Sequence, residues 1–273
     1  MLERPSPDNS FWKDEIIAEE KNENEFYFRG NDKQVFSELI DEIHQTSTSS
    51  YRYYYLAQFD HGFYRVGGSS ILLKYVDRFE SEHIRMLLMR KIVYDKKRNK
   101  VKLKDLDRLV MDLYHHFRAS PYYILPPEQK GDTTYIYIAY DNNLRNVLTP
   151  KIVPEIIELL KNLREVFILP LTANKIAKKY APKELEEIMV SHLLKKEVTM
   201  ADVGFLEEGY SIVNFNYIAK LTKFNAIRCL EHYPSEENVK VIMEYSDHPN
   251  EELAKFARES AEKMKKKLLE MQG

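Results

Sequence analysis

The sequence predicts an all-α chain arranged as an α-α superhelix, a solenoid of antiparallel helix pairs, and three observations lead there. Apolar residues recur at i, i+3, i+4 and i+7 through most of the chain, which gathers them on one face of each helix. Glycine is scarce, at 8 of 273 residues, whereas sandwiches and barrels need many glycine-rich turns. Near the C-terminus, helical patterns follow one another in neighbouring couples joined by short proline-containing turns.

Taken in order, the first thirty residues read as an acidic leader, with Pro5, Pro7 and the run EEKNENE from Glu19 to Glu25. Phe11, Trp12, Ile16 and Ile17 within it fit a short amphipathic turn that patches the core. From Asp32, an expected N-cap, Val35, Phe36, Leu39, Ile40 and Ile43 mark a helix. The run TSTSS from Thr46 stops it, because hydroxyl side chains compete for backbone bonds. Gly67 and Gly68 break the chain before a helix capped by Ser69 or Ser70, with Ile71, Leu72, Tyr75, Val76 and Phe79 on its face. Ile84, Leu87, Leu88 and Ile92 mark the next helix. A basic loop from Lys96 to Lys104 then leads to a helix carrying Leu106, Leu109, Val110, Leu113 and Phe117. Ser120-Pro121 ends it, since the residue before proline resists the α region.

Residues 121–140 are the least helical by composition: YYILP and TTYIYIAY flank the turn-like PPEQKGD, so either a small β-hairpin insertion or an irregular loop running into a helix is expected there. Such a hairpin must pack on helices to persist. Helices resume with Ile152 to Leu163, then a short one from Ile176 to Tyr180 ended by Pro182. Another follows, with Leu185, Ile188, Met189, His192 and Leu193 on its face. The resulting organisation is a leader over 1–30 and one helical-repeat domain over 31–273, with a subdivision point near 119–141.

Past a looser linker, a helix from about Tyr217 to His232 buries Ile218, Leu221, Ala226, Ile227 and Leu230. Pro234 stops it, and Ser235 caps the helix carrying Val239, Ile242 and Tyr245. The turn DHPN, Asp247 to Asn250, feeds a last helix with Leu253, Phe256, Ala257, Ala261, Met264 and Leu268 on one face. Lys223-Phe224 with Ala226 is echoed by Lys255-Phe256 with Ala257. A period of roughly thirty residues is one helix–turn–helix unit, which buries its apolar face only by stacking on a neighbour.

These segments, EENVKVIMEY followed by SDHPNEELAKFARESAEKM, resemble a HEAT-type repeat of the armadillo-like class, most clearly over 211–270. The resemblance implies a scaffold with an elongated concave surface, used for proteins and sometimes for nucleic acid. Lys265 to Lys267 then sit on the solvated face of a terminal capping helix.

Composition bounds the function. Hydrophobic residues at 44% supply a core and charged residues at 31% a solvated surface, which together exclude a disordered chain. A net charge of −2 gives no global field toward polyanions. Charge is nonetheless uneven. Residues 1–50 hold 12 acidic against 5 basic side chains, and residues 84–118 hold 11 basic against 4 acidic. Opposite signs raise the expectation that the leader lies on the basic segment. Cys229 is the only cysteine, so no internal disulfide or thiolate zinc cluster arises. With no signal-peptide pattern and no run of about eighteen apolar residues, a cytoplasmic chain without membrane contact is expected.

No phosphate-binding glycine loop, HExxH or G-x-S-x-G occurs. His115 and His116 are the one histidine pair, but neighbours on a helix point about 100° apart, so no metal is expected, nor any cofactor. The expected histidine arrangement is one ring on the core and one in solvent. Asp60 and His61 beside aromatic rings do not amount to an acid–base pair without geometry.

Two surfaces are candidate binding sites. Tyr51, Arg52, Tyr53, Tyr54, Tyr55, Phe59, Tyr64 and Arg65 combine the residue types enriched where proteins dock, against the plainer reading of rings packed between helices. Lys96, Lys97, Arg98, Lys100, Lys102 and Lys104 would meet an anionic partner, against the plainer reading of a solvated loop. The reading for function is a non-enzymatic protein-binding scaffold, adaptor or inhibitor/immunity-like regulator. The alternative is a nucleic-acid-binding or DNA-processing HEAT-like protein, against which the pI near 6.5 weighs. Another protein is therefore the expected partner, and no sequence feature assigns an enzymatic reaction or an oligomeric state.

Overall fold

The computed structural model describes residues 29–46, 69–99, 105–119, 132–195, 198–199, 202 and 212–272. It is mostly helical, and no strand occurs among the described residues. Its contacts gather into two compact units, Met1–Leu113 and Tyr114–Gly273, divided within one helix.

The first unit contains α1 (Asp32–Thr46), α2 (Ser69–Tyr75), α3 (Glu82–Asn99) and the start of α4 (Leu106–Ala119). Helix α2 packs on both α1 and α3. The expected faces are buried: Val35, Phe36 and Leu39 on α1, Leu72, Tyr75, Val76 and Phe79 in and after α2, and Ile84, Leu88 and Ile92 on α3. Asp32, expected as an N-cap, is the first residue of α1, and the N–H groups its carboxylate accepts lie outside that helix. Its carboxylate accepts the backbone N–H of Arg29 at 2.8 Å and those of Glu80 at 2.6 Å and Ser81 at 2.9 Å, at the entry to α3. One buried side chain thereby ties the approach to α1 to the approach to α3, where the Ser81 hydroxyl accepts the Ile84 N–H at 3.4 Å as the cap. Gly30, at φ +47°, carries the chain into this corner against the Glu80 carboxylate.

The expected basic loop is partly a helix. Lys96, Lys97 and Arg98 belong to α3, which runs to Asn99, while 100–104 lie outside the described residues.

The second unit continues with α5 (Asp132–Val147), α6 (Val153–Leu160), α7 (Leu163–Ile168), α8 (Pro170–Tyr180), α9 (Lys183–Leu194), α10 (Ile212–Leu230), α11 (Glu236–Met243) and α12 (Glu251–Gln272). The hairpin expectation is overturned: TTYIYIAY lies in α5, and 121–131 fall outside the described residues. Tyr137, Tyr140, Asp141 and Leu144 are buried while Ile138 is 52% exposed. That is helical spacing, and packing along it outweighs the strand preference of the individual residues. Phe117 stacks on Tyr140 at 4.8 Å between centroids and meets Tyr137 edge-on at 5.6 Å.

The single helix expected from Ile152 to Leu163 is two. It breaks at Lys161-Asn162, where the Asn162 side chain accepts Arg164 N–H at 3.0 Å and starts α7. Helix α8 starts at Pro170, earlier than periodicity indicates, and its first N–H groups at Leu171 and Thr172 are capped by the buried Asp141 carboxylate of α5, at 2.9 and 2.8 Å. Ser235 caps α11 as expected, accepting Asn238 N–H at 3.0 Å.

Packing follows a regular order. Helix α6 contacts α9, and α9 contacts α11; α8 contacts α10, and α10 contacts α12. Between these two rows, α6 meets α8, α9 meets α10, and α11 meets α12. Cross-contacts recur at nearly constant sequence separation: His192 with the Leu160 carbonyl 32 residues away, Lys223 with the His192 carbonyl at 31, and Lys220 with Glu252 at 32. Phe224 and Phe256, the echoed positions, lie 4.9 Å apart.

Candidate binding face

The Tyr/Arg-rich candidates, Tyr51, Arg52, Tyr53, Tyr54, Tyr55, Phe59, Tyr64 and Arg65, lie outside the described residues. So do Lys100, Lys102 and Lys104, and of Lys96, Lys97 and Arg98 only the helical backbone is described. The search for a site therefore turns to the polar groups placed in the second unit.

Two buried networks are structural joints. Glu165 of α7 is fully buried and accepts from Arg118 Nε at 2.7 Å and from the Tyr114 hydroxyl, both on α4. Beside it Arg164 donates to the Tyr137 hydroxyl at 3.4 Å. A carboxylate in this interior needs such partners, since an uncompensated buried charge costs several kcal/mol, roughly 3–5 when one member of a pair is removed. The second network closes the C-terminal end of α9. Lys223 of α10 is 5% exposed and donates to the carbonyls of His192, Leu193 and Lys195. Tyr245, in the turn after α11, donates to the Leu193 carbonyl, and its ring lies 5.7 Å from the ammonium. The last carbonyls of a helix have no internal partners and carry the negative end of its dipole, so an ammonium suits them. Burial still pushes Lys223 down to about 8, with Lys195 adding to the shift.

The histidines are also absorbed. Burial holds His192 below its ordinary value. Its Nε2 lies 2.8 Å from the Leu160 carbonyl, which only accepts, so that nitrogen carries a proton. His115 is half-buried against Glu155 at 2.5 Å, and His116 is exposed. Among the described residues no group of three or more His, Cys, Asp or Glu side chains is placed to hold a metal ion.

What remains is the outer side of α8, α10 and α12. Helices α8 and α10 carry three basic residues each and no acidic one, and α12 carries six against five. The other row, α6, α9 and α11, carries two basic residues against seven acidic. Toward the C-terminal end of α10 the basic groups converge. Arg228 is exposed, with its guanidinium 5.8 Å from the Phe256 ring centre, and Phe224 and Phe256 are half-buried against each other. His232 holds Asn174 of α8 at 2.9 Å and is pushed below its ordinary value by burial first, then by Lys267, with Lys178 adding to it and Glu231 opposing. Glu231 meets Lys263 at 3.4 Å, and Lys267 donates to the Glu231 carbonyl at 2.6 Å. Lys178, Lys263 and Lys267 thus gather about Glu231 and His232, and Arg228, one turn earlier on α10, stands by the paired rings of Phe224 and Phe256.

Sequence reasoning missed this patch because its members are spread over some ninety positions. The available signal was the lack of any acidic residue in PLTANKIAKKY and IVNFNYIAKLTKFNAIRCL. Comparison of the chain with protein-family models, with curated proteins and with solved structures returns no match. The class that the fold defines is a mostly helical protein, and no helix among the described residues is long and apolar enough to cross a membrane.

Proposed function

We propose that this chain is a non-enzymatic protein-binding scaffold, an adaptor or inhibitor-like regulator, that presents a helical-repeat surface of HEAT-like kind to another protein. The observation that carries the reading is the order of packing, in which α6, α9 and α11 contact one another in turn, as do α8, α10 and α12, with cross-contacts near thirty-two residues apart. Stacked helix pairs of that period build extended faces rather than enclosed clefts, and extended faces suit macromolecular partners. The polar clusters inside the unit support it too, since their groups are engaged in capping and joining helices.

The binding surface is the outer side of α8, α10 and α12, with Phe224, Phe256 and Arg228 as its anchors, because aromatic and arginine side chains dominate binding energy at protein interfaces. The test is gentle purification of the tagged chain from its source cells, alongside Phe224→Ala/Phe256→Ala. The expected result is one protein recovered in near-equal amount with the wild type and depleted with the variant. Recovery of no such protein, or equal recovery with both, would overturn the assignment.

A further inference from the structure

We propose that the outer face of α8, α10 and α12 takes an acidic segment of its partner, carboxylates lying over Arg228, Lys178, Lys263 and Lys267 and an aromatic or aliphatic side chain beside Phe224 and Phe256. The inference rests on the proposed scaffold function and adds the chemistry of the partner.

Charge complementarity selects the occupant. This row of helices carries twelve basic residues, the buried Lys223 among them, against five acidic, while the row behind it carries two against seven. The whole chain is near neutral at −2, so this excess is a local one. At a separation within a Debye length of about 8 Å, such a face attracts anionic groups, the acidic row of a second copy included. A second copy of the chain is therefore one outcome that the experiment must distinguish.

The apolar centre separates an acidic polypeptide from a nucleic acid. Bases stack on free aromatic faces, but Phe224 and Phe256 lie against each other at 4.9 Å and Arg228 lies by Phe256. Paired rings of this kind offer an edge for a side chain to pack against, not a platform. Glu231 also places a carboxylate amid the cations, 3.4 Å from Lys263 and 2.7 Å from the Ser260 hydroxyl. An incoming carboxylate can share Lys263 and Lys267 with it, whereas a continuous phosphate backbone brings charge at every step. His232 reports on the site, because burial first and then the Lys267 and Lys178 charges hold its pKa down, and a bound anion offsets those charges.

The experiment selects binders from a displayed library of random twelve-residue peptides on the full chain. Selected peptides are then measured against wild type, Arg228→Glu/Lys263→Glu and Phe224→Ala/Phe256→Ala, each checked for folding by circular dichroism. Expected are peptides of net negative charge with an apolar anchor, bound about tenfold or more weakly by the charge-reversed variant, the gap closing at high salt. Peptide binding should also raise the His232 pKa, followed by NMR titration. Neutral or basic peptides lost only in the phenylalanine variant would overturn the acidic chemistry while leaving the scaffold face standing. No peptide sensitive to either variant would overturn both. A single-stranded oligonucleotide that binds more tightly than the acidic peptides and fails on Arg228→Glu/Lys263→Glu would replace the proposal with a nucleic-acid face. Sedimentation that shows salt-sensitive self-association abolished by Arg228→Glu/Lys263→Glu would replace it with a second copy.

Discussion

Lys223→Met tests how the second unit is held together. The substitution keeps an unbranched apolar stem and removes the ammonium that serves the carbonyls of His192, Leu193 and Lys195. Leu193 keeps the Tyr245 hydroxyl, so two carbonyls lose this donor. A buried acceptor left unsatisfied costs about 1–3 kcal/mol, which gives roughly 2–6 kcal/mol of loss. Against it stands relief from burying an ammonium, visible in the fall of Lys223 to about 8; a net loss of about 2–4 kcal/mol is the expectation. Urea unfolding at pH 7 measures it, and for a unit of this size Tm should fall by about 5–15 °C. Tyr245→Phe should cost only about 1 kcal/mol. The double variant should depart from additivity, because both donors share Leu193. Stability of Lys223→Met within about 0.5 kcal/mol of wild type would show that desolvation cancels the three bonds and refute this account of the joint.

Asp141 should give the chain a pH-dependent stability. Burial, partly offset by the Thr172 hydroxyl and the N–H groups of Leu171 and Thr172, raises its pKa from 3.8 to about 6. The folded state then favours the protonated acid. Its contribution is fully present below about pH 4 and is lost as pH rises through 6, by about 3 kcal/mol at most. Urea unfolding of wild type and Asp141→Asn at pH 4.5 and 6.5 should differ in slope accordingly, and parallel profiles would count against the shift. Cys229 is fully buried with its thiol pushed up to about 12 by burial. Its reaction with a maleimide should be at least about a hundredfold slower than that of a small thiol and should speed up with denaturant in step with unfolding. Rapid labelling of the native chain would contradict its placement.

How far the sequence was legible varies from helix to helix, with an identifiable cause each time. Helices α9 and α11 were readable because their apolar spacing and flanking Pro182 and Ser235 agree with the packing they meet. TTYIYIAY was open between strand and helix, since local preference favours a strand and only the packing on Phe117 and Tyr114 decides for the helix. The break at Lys161-Asn162 was hidden because apolar residues keep helical spacing across it, and only the Asn162 side chain turning back on Arg164 marks it. The proposed site was harder still, since no window of sequence contains Lys178, Arg228 and Lys263 together.

By itself, then, the sequence determined the helical character, the buried face of most helices and the recurrence of Phe224 at Phe256. Tertiary structure alone decided that Asp141 caps a helix other than its own, that Asp32 joins the approaches to α1 and α3, that Lys223 closes the end of α9, and that basic residues from three helices lie near one another. The physical reason is range. Periodicity and capping act within a few residues along the chain, whereas a charge, a carbonyl and a ring separated by thirty positions interact only after packing has brought their helices side by side.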